Sequence, residues 1–104
     1  MKILIVDDST FERRTLKSII EKDGHKVIDA IDGQDGFEKA KFYMPDLVIS
    51  DILMPNVDGF HFLRNIKKDK NLKSIPVIVY SGVYEGDEDR ELALKLGAES
   101  YITK

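Results

Sequence analysis

Short, continuous apolar runs alternate along the chain with segments whose apolar residues recur every three or four positions. The runs lie in Lys2 to Asp7, His25 to Ala30, Leu47 to Asp51, Pro76 to Ser81 and Ser100 to Lys104. Runs of this length without polar alternation predict strands buried on both faces, as in parallel sheets. The intervening segments predict helices. Ser9-Thr-Phe-Glu12 has the capping-box pattern, so a first helix is expected from about Thr10 to Asp23, burying Leu16, Ile19 and Ile20. Gly24 is its expected stop. Asp32-Gly33 opens a second helix with Phe37 and Ala40 inward, and Pro45 ends it. Asp58-Gly59 opens a third, carrying Phe62, Leu63 and Ile66. After a loop from Gly82 to Gly86, a fourth begins near Asp87 with Leu92, Ala93 and Leu96 inside, and Gly97 closes it.

Strict alternation of strand and helix with short connections calls for one α/β domain over residues 1–104. Right-handed crossovers then build a doubly wound, five-stranded parallel sheet, order 2-1-3-4-5, with four helices. Composition narrows the function classes. The net charge of -3 and the lack of a basic patch argue against nucleic acid. With no cysteine, disulfides and thiolate metal sites are excluded. No apolar run nears the roughly 20 residues of a membrane helix. Met1-Lys2 leads straight into a strand, unlike a signal peptide. The expectation is a soluble cytoplasmic domain.

The chemistry gathers at the strand ends. Strand one ends in Asp7 and Asp8, strand three in Asp51, strand four in Ser81 and strand five in Lys104. Ligands of open parallel sheets bind outside the carboxyl ends of the strands, where the winding reverses. In the 2-1-3-4-5 order strands one and three are neighbours, about 4.8 Å apart, so three carboxylates share one pocket. Left alone they repel one another. A divalent cation and the lysine bring the sum to zero, and an all-oxygen donor set suits Mg²⁺ better than zinc.

These motifs resemble those of the response-regulator receiver domains of two-component signalling, in particular the stand-alone chemotaxis regulators. The resemblance covers the whole chain and rests on Asp7-Asp8, Asp51, Met54-Pro55, Asp58-Gly59, Ser81-Gly82 and Lys104. It implies a flavodoxin-like fold and Asp51 as phosphoacceptor for a sensor histidine kinase. It further implies Mg²⁺ held by Asp8, Asp7, Asp51 and the backbone carbonyl of Leu53. Ser81 and Lys104 would contact the phosphoryl group, and Ser81 with Tyr101 would form the switch presented to a protein effector. Such a domain catalyses only its own phosphorylation and dephosphorylation and is not otherwise an enzyme. Leu53 and Val83, apolar where water would approach, imply slow dephosphorylation.

Three other readings compete. A dehalogenase-type hydrolase needs a proton-transferring residue at position 53, which Leu53 cannot be. An FMN carrier would meet repulsion from Asp7 and Asp8. A phosphorylation-independent scaffold of receiver type is the alternative that a loss of Mg²⁺ binding would favour. His25 and His61 sit at no carboxyl strand end and are expected on the surface. Phe11 and Phe60 fall off the core faces of their helices, and Phe11 is a candidate partner contact. The resembled family has a fifth helix after strand five, and none follows Lys104. Alternate positions of Ile3 to Val6, with Ile102, are therefore expected to be bare, and a homodimer to cover them.

Overall fold

The structure, a computed structural model, describes residues 1–52, 58–81 and 87–103, with Asp87 placed by its backbone only. The elements follow the expected alternation: β1 (Lys2–Val6), α1 (Thr10–Lys22), β2 (Lys26–Ala30), α2 (Gly33–Tyr43), β3 (Leu47–Asp51), α3 (Gly59–Lys68), β4 (Val77–Ser81), α4 (Asp87–Lys95) and β5 (Ser100–Thr103). All four strand pairs are parallel, and the sheet order is β2-β1-β3-β4-β5. Expected Leu53 to Val57, Gly82 to Gly86 and Lys104 features lie outside the described residues.

The first three helices start where a side-chain oxygen meets their first free amides. Ser9 accepts from the Glu12 amide, Asp32 from Asp35 and Asp58 from His61. The capping box is modified at the first: Ser9's own N–H, which a full box directs to Glu12, donates to Asp7 Oδ1 at 2.9 Å. Gly24, with φ +88°, follows the end of α1, and Met44, with φ 48°, turns the chain out of α2 before Pro45. A residue preceding proline is disfavoured in the right-handed helical region, which helps end α2 there.

The two faces of the sheet are covered unequally. On one side α2, α3 and Ala93 of α4 close over Leu4, Val6, Val48, Val77 and Val79, with Phe62, Leu63 and Ile66 fully buried. On the other, α1 covers Ile3, Ile5 and Val27 through Leu16 and Ile20. This corrects the expected bare face. Ile3 and Ile5 of β1 are buried, and the apolar surface left open lies further along the sheet, where Ile102 of β5 is 49% exposed. Ile19 is also corrected: it is 56% exposed. Leu16 and Ile20, one turn apart, form the stripe that meets the sheet, and Ile19 falls beside that stripe. On α4 the small Ala93 makes the contact, which brings Leu92 to the rim as an exposed residue. Phe60, expected off the core, packs against it. His61 is exposed as expected, but His25 is half-buried.

Candidate functional site

The register of the strands assembles the site. Val6 of β1 pairs with Ser50 of β3, so Asp7 follows level with Asp51, and Asp51 pairs with Tyr80 of β4. Asp7, Asp51 and Tyr80 thus occupy one row across three adjacent strands. Ligand oxygens of Asp7, Asp8 and Asp51 lie within 4.8 Å of one another. Asp7 and Asp51 are buried and Asp8 is exposed, so the cluster has a closed floor and an open side. Three carboxylates at this spacing form an all-oxygen donor set that fits a hard divalent cation such as Mg²⁺.

The buried carboxylates are held by the backbone around them. Asp51 Oδ1 accepts from the Ile52 amide at 2.7 Å. Asp7 Oδ1 accepts from the Ser9 amide, and Asp7 Oδ2 accepts from the phenol of Tyr80. The Asp7 carbonyl accepts from Arg13 Nη1 at 2.9 Å, while Arg13 Nε pairs with Asp29 at 2.9 Å. The same helix N-terminus that caps α1 therefore also orients the end of β1.

Burial, then the hydrogen bond to Asp7, then the charges of Asp7, Asp51 and Glu12, push the Tyr80 hydroxyl well above the ordinary tyrosine range. Tyr80 stays a neutral donor. The sequence reading missed it, because a tyrosine inside an apolar strand counts as core. The available signal was its position, one residue before the polar strand end at Ser81.

Ser81 is buried at the end of β4, next along from the Asp51–Tyr80 pair and opposite Thr103. Tyr101 sits opposite Val79 on β5, half-buried against the main core. Of the residues expected to act together, the structure thus unites Asp7, Asp8 and Asp51. It places Ser81 at the same sheet edge and Tyr101 two pairings below it. Lys104 and the Leu53 carbonyl lie outside the described residues.

Beside the acidic cluster an apolar groove of about 400 Å³ runs along α1 over β3, β4 and β5. Phe11, Leu16, Ile49, Ile78, Tyr80 and Ile102 line it. Tyr80 is common to groove and site, its ring in the first and its hydroxyl in the second.

Comparison with known proteins agrees with this architecture. A family model described as the response regulator receiver domain matches residues 3–104. Protein PilH of Pseudomonas aeruginosa is 40% identical over 103 residues, a match spanning 99% of this chain and 84% of PilH. Chemotaxis protein CheV3 of Helicobacter pylori is 38% identical, and there the match spans only 36% of the longer protein. Among solved structures, chemotaxis protein CheY4 of Vibrio cholerae superposes with a TM-score of 0.92 at 28% identity, covering 99% of this chain and 85% of that one. A signal receiver domain of a histidine kinase from Syntrophus aciditrophicus gives 0.89 at 36% identity, with 99% and 77% covered.

Proposed function

The chain belongs to the response regulator receiver domain family, and on that premise we propose that it accepts a phosphoryl group on Asp51 from a sensor histidine kinase in the cytoplasm. The observation that carries this reading is the buried Asp51 carboxylate at the end of the central strand, within 4.8 Å of the Asp7 and Asp8 oxygens. Asp7, Asp8 and Asp51, with the Leu53 carbonyl, would hold Mg²⁺. That ion, when bound, supplies charge neutralisation to the phosphoryl oxygens.

The chain's own residues supply position. Asp51 is a weak nucleophile and must be ionised and aligned with the phosphorus. The Ile52 amide at 2.7 Å fixes one of its oxygens. Lys104 would pair with the phosphoryl group, and Ser81 would donate a hydrogen bond to it. Movement of Ser81 toward the new charge would free room into which Tyr101 turns, changing the surface offered to an effector protein. A local charge biasing a two-state side chain is the common physical form of such switches. The reaction is confined to the domain's own carboxylate, so it is not an enzyme acting on other substrates.

Incubation with Mg²⁺ and acetyl phosphate, followed by intact mass measurement, tests the reading. One added phosphoryl group, absent in Asp51→Ala, is the expected result. No mass gain in the unaltered protein would overturn it.

A further inference from the structure

We propose that Tyr80 is a positioning residue of the carboxylate cluster, holding Asp7 in the orientation from which it serves a divalent cation. The inference rests on the metal reading above and concerns a residue that reading does not use. To reach Asp7 from β4, the Tyr80 side chain must cross β3, a span of two strand spacings of about 4.8 Å each. It does so on the face that carries α1, and its hydroxyl ends on Asp7 Oδ2. The Ser9 amide takes Oδ1 of the same carboxylate at 2.9 Å. Both oxygens of Asp7 are therefore fixed from opposite ends, one by the cap of α1 and one by β4.

The type of donor matters. Three carboxylates within 4.8 Å repel one another, so Asp7 tends to turn away from the cluster unless a donor holds it there. A lysine there would bring a positive charge that competes with the cation. A phenylalanine would leave a buried carboxylate oxygen without this partner, at the cost of its desolvation. A neutral phenol orients the carboxylate without that positive charge. Only 7% of Tyr80 is exposed, and its ring separates the apolar groove from the acidic cluster. That wall limits the ways Asp7 could turn. Partners that orient metal-binding carboxylates typically change metal affinity 10–100-fold when removed.

The test is calorimetric titration of the metal-free protein with Mg²⁺, comparing the unaltered chain, Tyr80→Phe and Ile78→Val. Tyr80→Phe keeps the ring in the core and removes only the hydroxyl. It is expected to weaken Mg²⁺ binding about tenfold or more. Ile78→Val loosens the same groove by one methylene and is expected to leave the affinity unchanged, which separates positioning from general loosening. Circular dichroism checks that each variant is folded. Equal or tighter binding by Tyr80→Phe would overturn the proposal while leaving the metal reading intact, and so would an equal loss in Ile78→Val. No binding by the unaltered protein would overturn the metal reading, and this inference with it.

Discussion

Gly59, the first residue of α3, lies flat against the backbone that ends in Asp51. Its amide donates to the Ile52 carbonyl at 2.8 Å. A Cβ on Gly59 would overlap the Asp51 carbonyl oxygen and come within 2.5 Å of Ile52 Cα. The start of α3 and the end of β3 are thus set at a separation that no side chain permits. Gly59→Ala must displace one of them, since both neighbours are backbone. Thermal unfolding should show a loss at the upper end of about 1–3 kcal/mol. Phosphorylation of Asp51, read by intact mass, should fall with it, because the nucleophile moves with its strand.

Gly36, the fourth residue of α2, makes a contrasting case. Its Cβ would meet Val6 Cγ2 at 2.8 Å and Phe62 Cε1 at 3.1 Å, both side-chain atoms that can give way. Alanine also favours the helix over glycine by about 1 kcal/mol. The expected outcome of Gly36→Ala is a net loss near 1 kcal/mol in denaturant unfolding. Phosphorylation should be unchanged.

Asp7 and Asp8 should separate when each is replaced by alanine. Asp8 is exposed, so Asp8→Ala should fold normally and lose both Mg²⁺ binding and phosphorylation. Asp7→Ala removes the carboxylate that accepts from the Tyr80 hydroxyl and the Ser9 amide. It should cost about 1–3 kcal/mol of stability in addition to weakening the metal. In the unaltered protein, Mg²⁺ at a hundred times its dissociation constant should add about 2.7 kcal/mol, visible as a raised Tm. The same rise in Asp8→Ala would show that the ion binds elsewhere.

Among the described residues two cations approach the Asp29 carboxylate, and they should not be equivalent. Arg13, with a side chain only 12% exposed, pairs with Asp29 at 2.9 Å and bonds the Asp7 carbonyl. Lys17 lies 3.9 Å away and its side chain is 40% exposed. Arg13→Met should cost about 1–2 kcal/mol and loosen the end of β1. Lys17→Met should stay within about 0.5 kcal/mol in the same unfolding measurement.

The groove beside α1 should bind a hydrophobic dye. Ile102 is half-exposed at its rim, so Ile102→Glu should abolish dye binding with little effect on Tm. If a second copy covers the groove, as the homodimer expected from the sequence requires, light scattering should show a mass rising with concentration. Ile102→Glu should hold it at one chain.

Much of this protein is determined by patterns a few residues long. Apolar runs marked the five strands, and short polar signals such as Ser9, Asp32, Asp58 and Gly24 marked where helices begin and end. A continuous run buried on both faces needs a parallel sheet, and each such strand ending in a polar residue already placed Asp7, Asp8, Asp51 and Ser81 at one edge. What the tertiary structure decided was which faces meet. Periodicity placed Ile19 with Leu16 and Ile20, but the stripe of α1 that meets the sheet runs through Leu16 and Ile20 and leaves Ile19 in solvent. The resemblance predicted bare positions on β1 as well as at Ile102, but α1 lies over β1 and β2, so Ile3 and Ile5 are buried while Ile102 is exposed as expected. Tyr80 shows the difference most directly. Its apolar ring and its place in a strand predicted core, and it is core. Only the register across β1, β3 and β4 brings its hydroxyl to Asp7, because hydrogen-bond partners 73 residues apart are set by strand pairing and leave no local trace.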